Sequence, residues 1–113
     1  MISGIYHVHF RGGPSQNFGE GIAVFKDGKI NGGDVGYVFR GSYETTAKRI
    51  ASTINVKRWN PSVPNALINL PEYDLVVEAD VPGDWANFTV SARAPQIPQL
   101  AISISCRRIA EVA

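Results

Sequence analysis

The chain has 113 residues, 44% of them hydrophobic and 19% charged, which suits one modest core and is too apolar for a disordered chain. Eleven Lys and Arg stand against ten Asp and Glu, a formal net charge of +1, so the basic excess typical of a nucleic-acid binder is missing. The only cysteine, Cys106, excludes a disulfide framework.

The dominant signal along the chain is a period of two, the mark of β-strands with one buried face. "GIYHVHFRG" puts Tyr6, Val8 and Phe10 on one face and Ile5, His7, His9 and Arg11 on the other. "FGEGIAVFKDGK" places Ile22 and Val24 on the inner face, then turns at Asp27-Gly28, a strong hairpin signal. "KINGG" resumes and is broken by glycines, after which "DVGYVFRGSY" aligns Tyr37, Phe39 and Tyr43 around Gly41. "ETTAKRIAS" at 44 to 52 admits one helical turn, and "RIASTINVKRW" gives Ile50, Ile54 and Val56 one face. Three prolines in 60 to 71 mark a long surface connection. "EYDLVVEADV" is the cleanest strand, with Tyr73, Leu75, Val77, Ala79 and Val81 facing one way and Asp74, Glu78 and Asp80 the other. Pro82-Gly83 reads as a type II turn. "WANFTVSARA" aligns Phe88, Val90 and Ala92, and "LAISISCRRI" aligns Leu100, Ile102 and Ile104.

About eight strands with hairpin-length connections predict an all-β fold, a single domain over residues 1–113. The economical arrangement is an antiparallel, up-and-down, eight-stranded β-barrel, since closure removes exposed edges. Such an interior is either packed or holds one small ligand. Its expected lining is Tyr6, Val8, Phe10, Ile22, Val24, Tyr37, Phe39, Ile54, Val56, Leu75, Val77, Phe88, Val90 and Ile102, with hydroxyls from Tyr6, Tyr37 and Tyr43.

Catalytic and cofactor signals are sparse. His7 and His9 share a strand face and would suit zinc or copper, but two ligands do not make a site; a pair of surface histidines is the simpler account. The glycines of "GEG" and "GGDVG" open no helix, so phosphate binding is disfavoured against barrel bends. Asp34 reads as a turn residue whose oxygens accept from amides two residues on. Cys106 falls in phase with the core. Lys48-Arg49, Lys57-Arg58-Trp59 and Arg107-Arg108 read as a solvated rim rather than a nucleic-acid patch. No cofactor, no metal and no catalytic set is expected; a hydrolase or isomerase at the barrel mouth is the weakest reading. "ISGIYHVHF" lacks a signal peptide's basic start, and no run approaches a membrane span, which predicts a soluble, cytoplasmic protein with no membrane partner.

"GIYHVHF", "GEGIAVFKDGKINGGDVGYVFRG", "VKRWN", "SVPNAL" and "YDLVVEA" resemble the GrlR family, small bacterial negative regulators of type III secretion. The resemblance implies a lipocalin-like barrel, commonly a homodimer, that acts without catalysis by contacting a protein, a transcriptional activator. It leaves open an alternative role as carrier or sensor of an apolar ligand. In the family an acidic run contacts the activator. Here that stretch is "SYETTAKRIA", where only Glu44 is acidic and Lys48 and Arg49 reverse the sign. These three are the candidate partner-binding residues.

Overall fold

The computed structural model describes residues 2–12, 17–63, 70–81 and 83–113. Eight strands follow one another: β1 (Gly4–Gly12), β2 (Asn17–Lys26), β3 (Lys29–Gly33), β4 (Tyr37–Thr45), β5 (Arg49–Arg58), β6 (Glu72–Asp80), β7 (Asn87–Ala94) and β8 (Ile97–Ala110). Each pairs antiparallel with the next, and β8 returns to β1, closing an up-and-down barrel in chain order. The expected architecture is the observed one. Residues 64–69 of the proline-rich connection and Pro82 of the expected type II turn lie outside the described residues.

Alternation sets the inner face. In β7, Phe88, Val90, Ala92 and Ala94 are buried while their neighbours are exposed. In β6, Tyr73, Leu75 and Val77 point inward. Asp27 and Gly28, at φ 53° and 79°, make the tight turn between β2 and β3, a pair of left-handed residues whose twist matches the flanking strands.

Two expectations fail. Residues 44–52 contain no helical turn: β4 ends at Thr45, the Thr46 amide donates to the Arg49 carbonyl at 2.9 Å, and β5 begins. The inward set Ile50, Ser52 and Val56 holds this stretch to period two, overriding its weak local helix preference. In β2 the inner residues are Ala23 and Phe25, and Ile22 and Val24 face outward. Residues directly opposite in an antiparallel pair share a face. Inward Tyr6 stands opposite Ala23 and outward His7 opposite Ile22, so β1 dictates the phase of β2.

Glycine keeps adjacent strands close. A β-carbon on Gly32 would overlap the Ile22 carbonyl oxygen of β2, and one on Gly41 would overlap the Thr53 carbonyl oxygen of β5. Neither glycine has positive φ. The bend near "INGGD" therefore needs glycine for close backbone approach, not for a left-handed conformation.

One end of the barrel is plugged by rings. Tyr6 packs edge-on against Phe25 and Phe88, at centroid distances of 5.0 and 5.8 Å. Tyr43 continues the cluster from Phe25 at 5.1 Å, and Trp85 caps Phe88 at 5.2 Å. Such edge contacts add about 0.5–1.5 kcal/mol each beyond burial.

Gly32→Ala and Gly41→Ala should each cost roughly 2–3 kcal/mol, as expected when backbone must shift. Gly19→Ala should stay within about 0.5 kcal/mol, because its β-carbon would meet two Phe10 ring carbons at ordinary contact distances of 3.4 and 3.7 Å. Urea midpoints at constant m-value measure the difference; equal midpoints for all three would refute the close-approach account.

Candidate functional site

Beyond the ring plug, the inner face encloses a cavity of about 400 Å³. That lies within the range of small-molecule sites. Its walls come from all eight strands, and they are almost wholly apolar: Val8 and Phe10, Ala23 and Phe25, Ile30, Phe39, Ile50 with Ile54 and Val56, Leu75 and Val77, Phe88 and Val90, Ile102 and Ile104. Strand β2 contributes the small residues Gly19 and Ala23 to this wall, with Glu20 between them at its edge.

Of the residues expected to line the interior, Val8, Phe10, Tyr37, Phe39, Ile54, Val56, Leu75, Val77, Phe88, Val90 and Ile102 do so. Ile22 and Val24 do not, for the register reason given above. Tyr6 is fully buried but belongs to the plug rather than the cavity wall.

The tyrosine hydroxyls divide differently from expectation. Tyr6 donates to the Trp85 carbonyl at 2.6 Å and accepts from Arg108 Nη2 at 3.2 Å, with the guanidinium 5.6 Å over its ring. Tyr43 donates to the Ile2 carbonyl. Tyr37 donates to the Leu70 carbonyl at 3.3 Å and accepts from Arg58 Nε and Nη2 at 3.1 and 3.0 Å. These hydroxyls serve the two ends of the barrel. Tyr73 was legible only as an inward residue, yet it lines the cavity and its hydroxyl has no hydrogen-bond partner among the described residues. Burial, followed by the nearby Tyr37 and Asp34, pushes its pKa above the ordinary tyrosine value. Ser52, also in the wall, donates to the Ser42 carbonyl at 2.8 Å.

Asp34 and Val35 stand at the open mouth, with Val63 beside them. Asp34 Oδ1 accepts from the Gly36 and Tyr37 amides at 2.9 and 2.8 Å. Its carbonyl accepts from the Trp59 indole at 3.1 Å. It is the turn residue expected, and it ties the β3–β4 loop to the end of β5.

The remaining candidates scatter. His7 pairs with Glu20 at 3.0 Å on the barrel exterior, and no group of three or more metal-ligating side chains occurs among the described residues. Glu44, Lys48 and Arg49 are exposed around the β4–β5 turn, with Arg49 bound to Asp80 at 2.9 Å. Lys57-Arg58-Trp59 lies at the mouth end, whereas Lys48-Arg49 and Arg107-Arg108 lie at the plugged end, so the basic clusters form no continuous track. Cys106 is buried in the cavity wall, where burial pushes its thiol up to about 12.

A family model described as "T3SS negative regulator, GrlR" matches residues 1–112. The chain belongs to the GrlR family. No curated protein matches it. The match spans all eight strands, so the cavity and its mouth lie wholly within the GrlR-family region.

The thiol of Cys106 carries a pH signature. Its folded pKa is raised from 9.0 to about 12, so folding disfavours the thiolate. That contribution is complete below pH 9 and is lost as pH rises towards 12, amounting to about 1.4 kcal/mol by pH 10. Urea unfolding at pH 7 and pH 10 should show this decline, and Cys106→Val should remove it. In the same vein, Asp34→Ala should cost about 1–2 kcal/mol by stranding two amides, while Asp34→Asn, which keeps Oδ1, should cost less. Identical melting of the two Asp34 variants would refute the pinning role.

Proposed function

We propose that this protein is a non-enzymatic negative regulator of type III secretion gene expression that acts in the cytoplasm by binding another protein. Family membership supplies the regulatory class. The observation that carries protein contact is an apolar strip on the outside of the barrel. Ile22 and Val24 share the outer face of β2, and Ile5 stands opposite Val24. Ile109, near the end of β8, adjoins Ile5, which pairs with Ala110. Ile22 is 38% exposed and Ile109 is 49% exposed. Single exposed apolar residues are ordinary, but a contiguous strip of them marks an interaction surface.

The partner in this reading is a transcriptional activator, with Glu44, Lys48 and Arg49 as a charged contact at the plugged end. Electrostatic complementarity steers association, so a basic turn favours an acidic partner surface. The same strip serves a homodimer if a second copy covers it.

A second reading rests on the cavity: the barrel carries or senses a small apolar ligand. Its volume and apolar walls favour this reading over a fully packed interior.

Deleting the gene in its host should raise transcription of the secretion genes, and restoring it should lower transcription again. Ile22→Lys with Ile109→Glu should weaken capture of the partner at least about tenfold, while these exposed positions shift stability by no more than about 0.5 kcal/mol each. Affinity capture from the host, beside a melting curve, reads both. Full repression by a folded double variant would refute the strip as the contact.

A further inference from the structure

From the wall chemistry we infer that the cavity takes an uncharged, largely apolar molecule and rejects carboxylates, with the Tyr73 hydroxyl as its polar handle. The inference rests on the second reading above and narrows it to a ligand class.

Size comes first. At ~30 Å³ per water-sized group, 400 Å³ holds on the order of a dozen non-hydrogen atoms. That is the scale of a medium-chain alcohol, a ketone or a small aromatic.

Charge comes second. No Lys, Arg or His lines the cavity among the described residues. A buried carboxylate without a counter-charge is strongly disfavoured. At the mouth such a head group meets Asp34, a second carboxylate. Arg58, the cation nearest Tyr37, stands 5.5 Å from that ring's centroid and donates twice to its hydroxyl. The mouth therefore holds a fixed acid and a cation already engaged.

The polar handle comes third. Ser52, Tyr37, Tyr6 and Tyr43 all donate their hydroxyls to backbone carbonyls. Tyr73 alone among the tyrosines has no such partner among the described residues, and it sits in the wall beside Tyr37, ring centroids 6.3 Å apart. One hydroxyl amid apolar walls orients a ligand that bears one hydroxyl or carbonyl group.

The test is displacement of the neutral fluorophore N-phenyl-1-naphthylamine from the full chain at pH 8 by two matched compounds, 1-decanol and decanoate. Decanol should displace the probe at least about tenfold more effectively than decanoate. Tyr73→Phe should weaken decanol roughly three- to tenfold without moving the thermal midpoint downward. Asp34→Asn, which keeps the loop's acceptor, should narrow the gap between decanoate and decanol. Equal displacement by decanol and decanoate, or unchanged decanol binding in Tyr73→Phe, overturns the inference while leaving a ligand-holding barrel intact. A Tyr73→Phe chain that does not fold passes the decision to Asp34→Asn, where an unchanged gap overturns the rejection of carboxylates. Absence of any probe signal or displacement removes the ligand reading itself.

Discussion

Pairing of β8 with β1 is the constraint on which the molecule depends. Closure gives every strand two neighbours and leaves no edge to solvent. It also forces a common inner face, because residues paired across each ladder must point the same way. Cys106 opposite Val8 and Ile104 opposite Phe10 join the last strand to the first in phase. Once these are inward, the alternation of all eight strands is settled. The β6–β7 ladder is the lightest, with pairs only at Val76–Arg93 and Val77–Ala92, and the inward side chains of β6 and β7 carry that seam.

Closure alone does not make a cavity. An eight-stranded barrel can be filled by its own side chains. Here five large rings are gathered at one end, where Tyr6, Phe25, Tyr43, Phe88 and Trp85 pack together, while Phe10 with Phe39 and Tyr37 with Tyr73 pair in the cavity wall. The hydroxyls of Tyr6 and Tyr43 reach the backbone of Trp85 and Ile2 there, so burying these rings leaves neither hydroxyl without a partner. The middle is left to Val, Ile and Leu beside glycine and alanine on β2. The plug thus accounts both for a closed floor and for the space above it.

Much of this was legible in residue order. Period-two patterns marked the strands, Asp27-Gly28 the hairpin and Asp34 the pinned turn, because each depends on chemistry local to a few residues. What escaped depends on contacts between distant segments. "ETTAKRIAS" admits a helical turn in isolation, and pairing of β4 with β5 and of β5 with β6 instead makes it a strand end, a tight turn and a strand start. Tyr73 and the other tyrosines share one inward pattern. Which hydroxyl reaches a carbonyl depends on loops far away in sequence, such as the Trp85 and Leu70 carbonyls. The Gly32-Gly33 pair signalled a bend, but the carbonyl that crowds Gly32 belongs to Ile22 on a neighbouring strand.

The misplaced phase of β2 is the most instructive case. "GIAVF" is apolar in both phases, so alternation cannot decide which set faces inward. Volume favours Ile22 and Val24 as core, and pairing with Tyr6 selects Ala23 and Phe25. A strand that needed only an inner face would carry polar residues outside, as β6 does with Asp74, Glu78 and Asp80. That β2 keeps isoleucine and valine on its outer face costs solubility without aiding the barrel. Those side chains lie on the surface that β1 and β8 extend with Ile5 and Ile109. The apolar residues that blurred the register in sequence are therefore the ones that put an apolar face on the barrel's exterior.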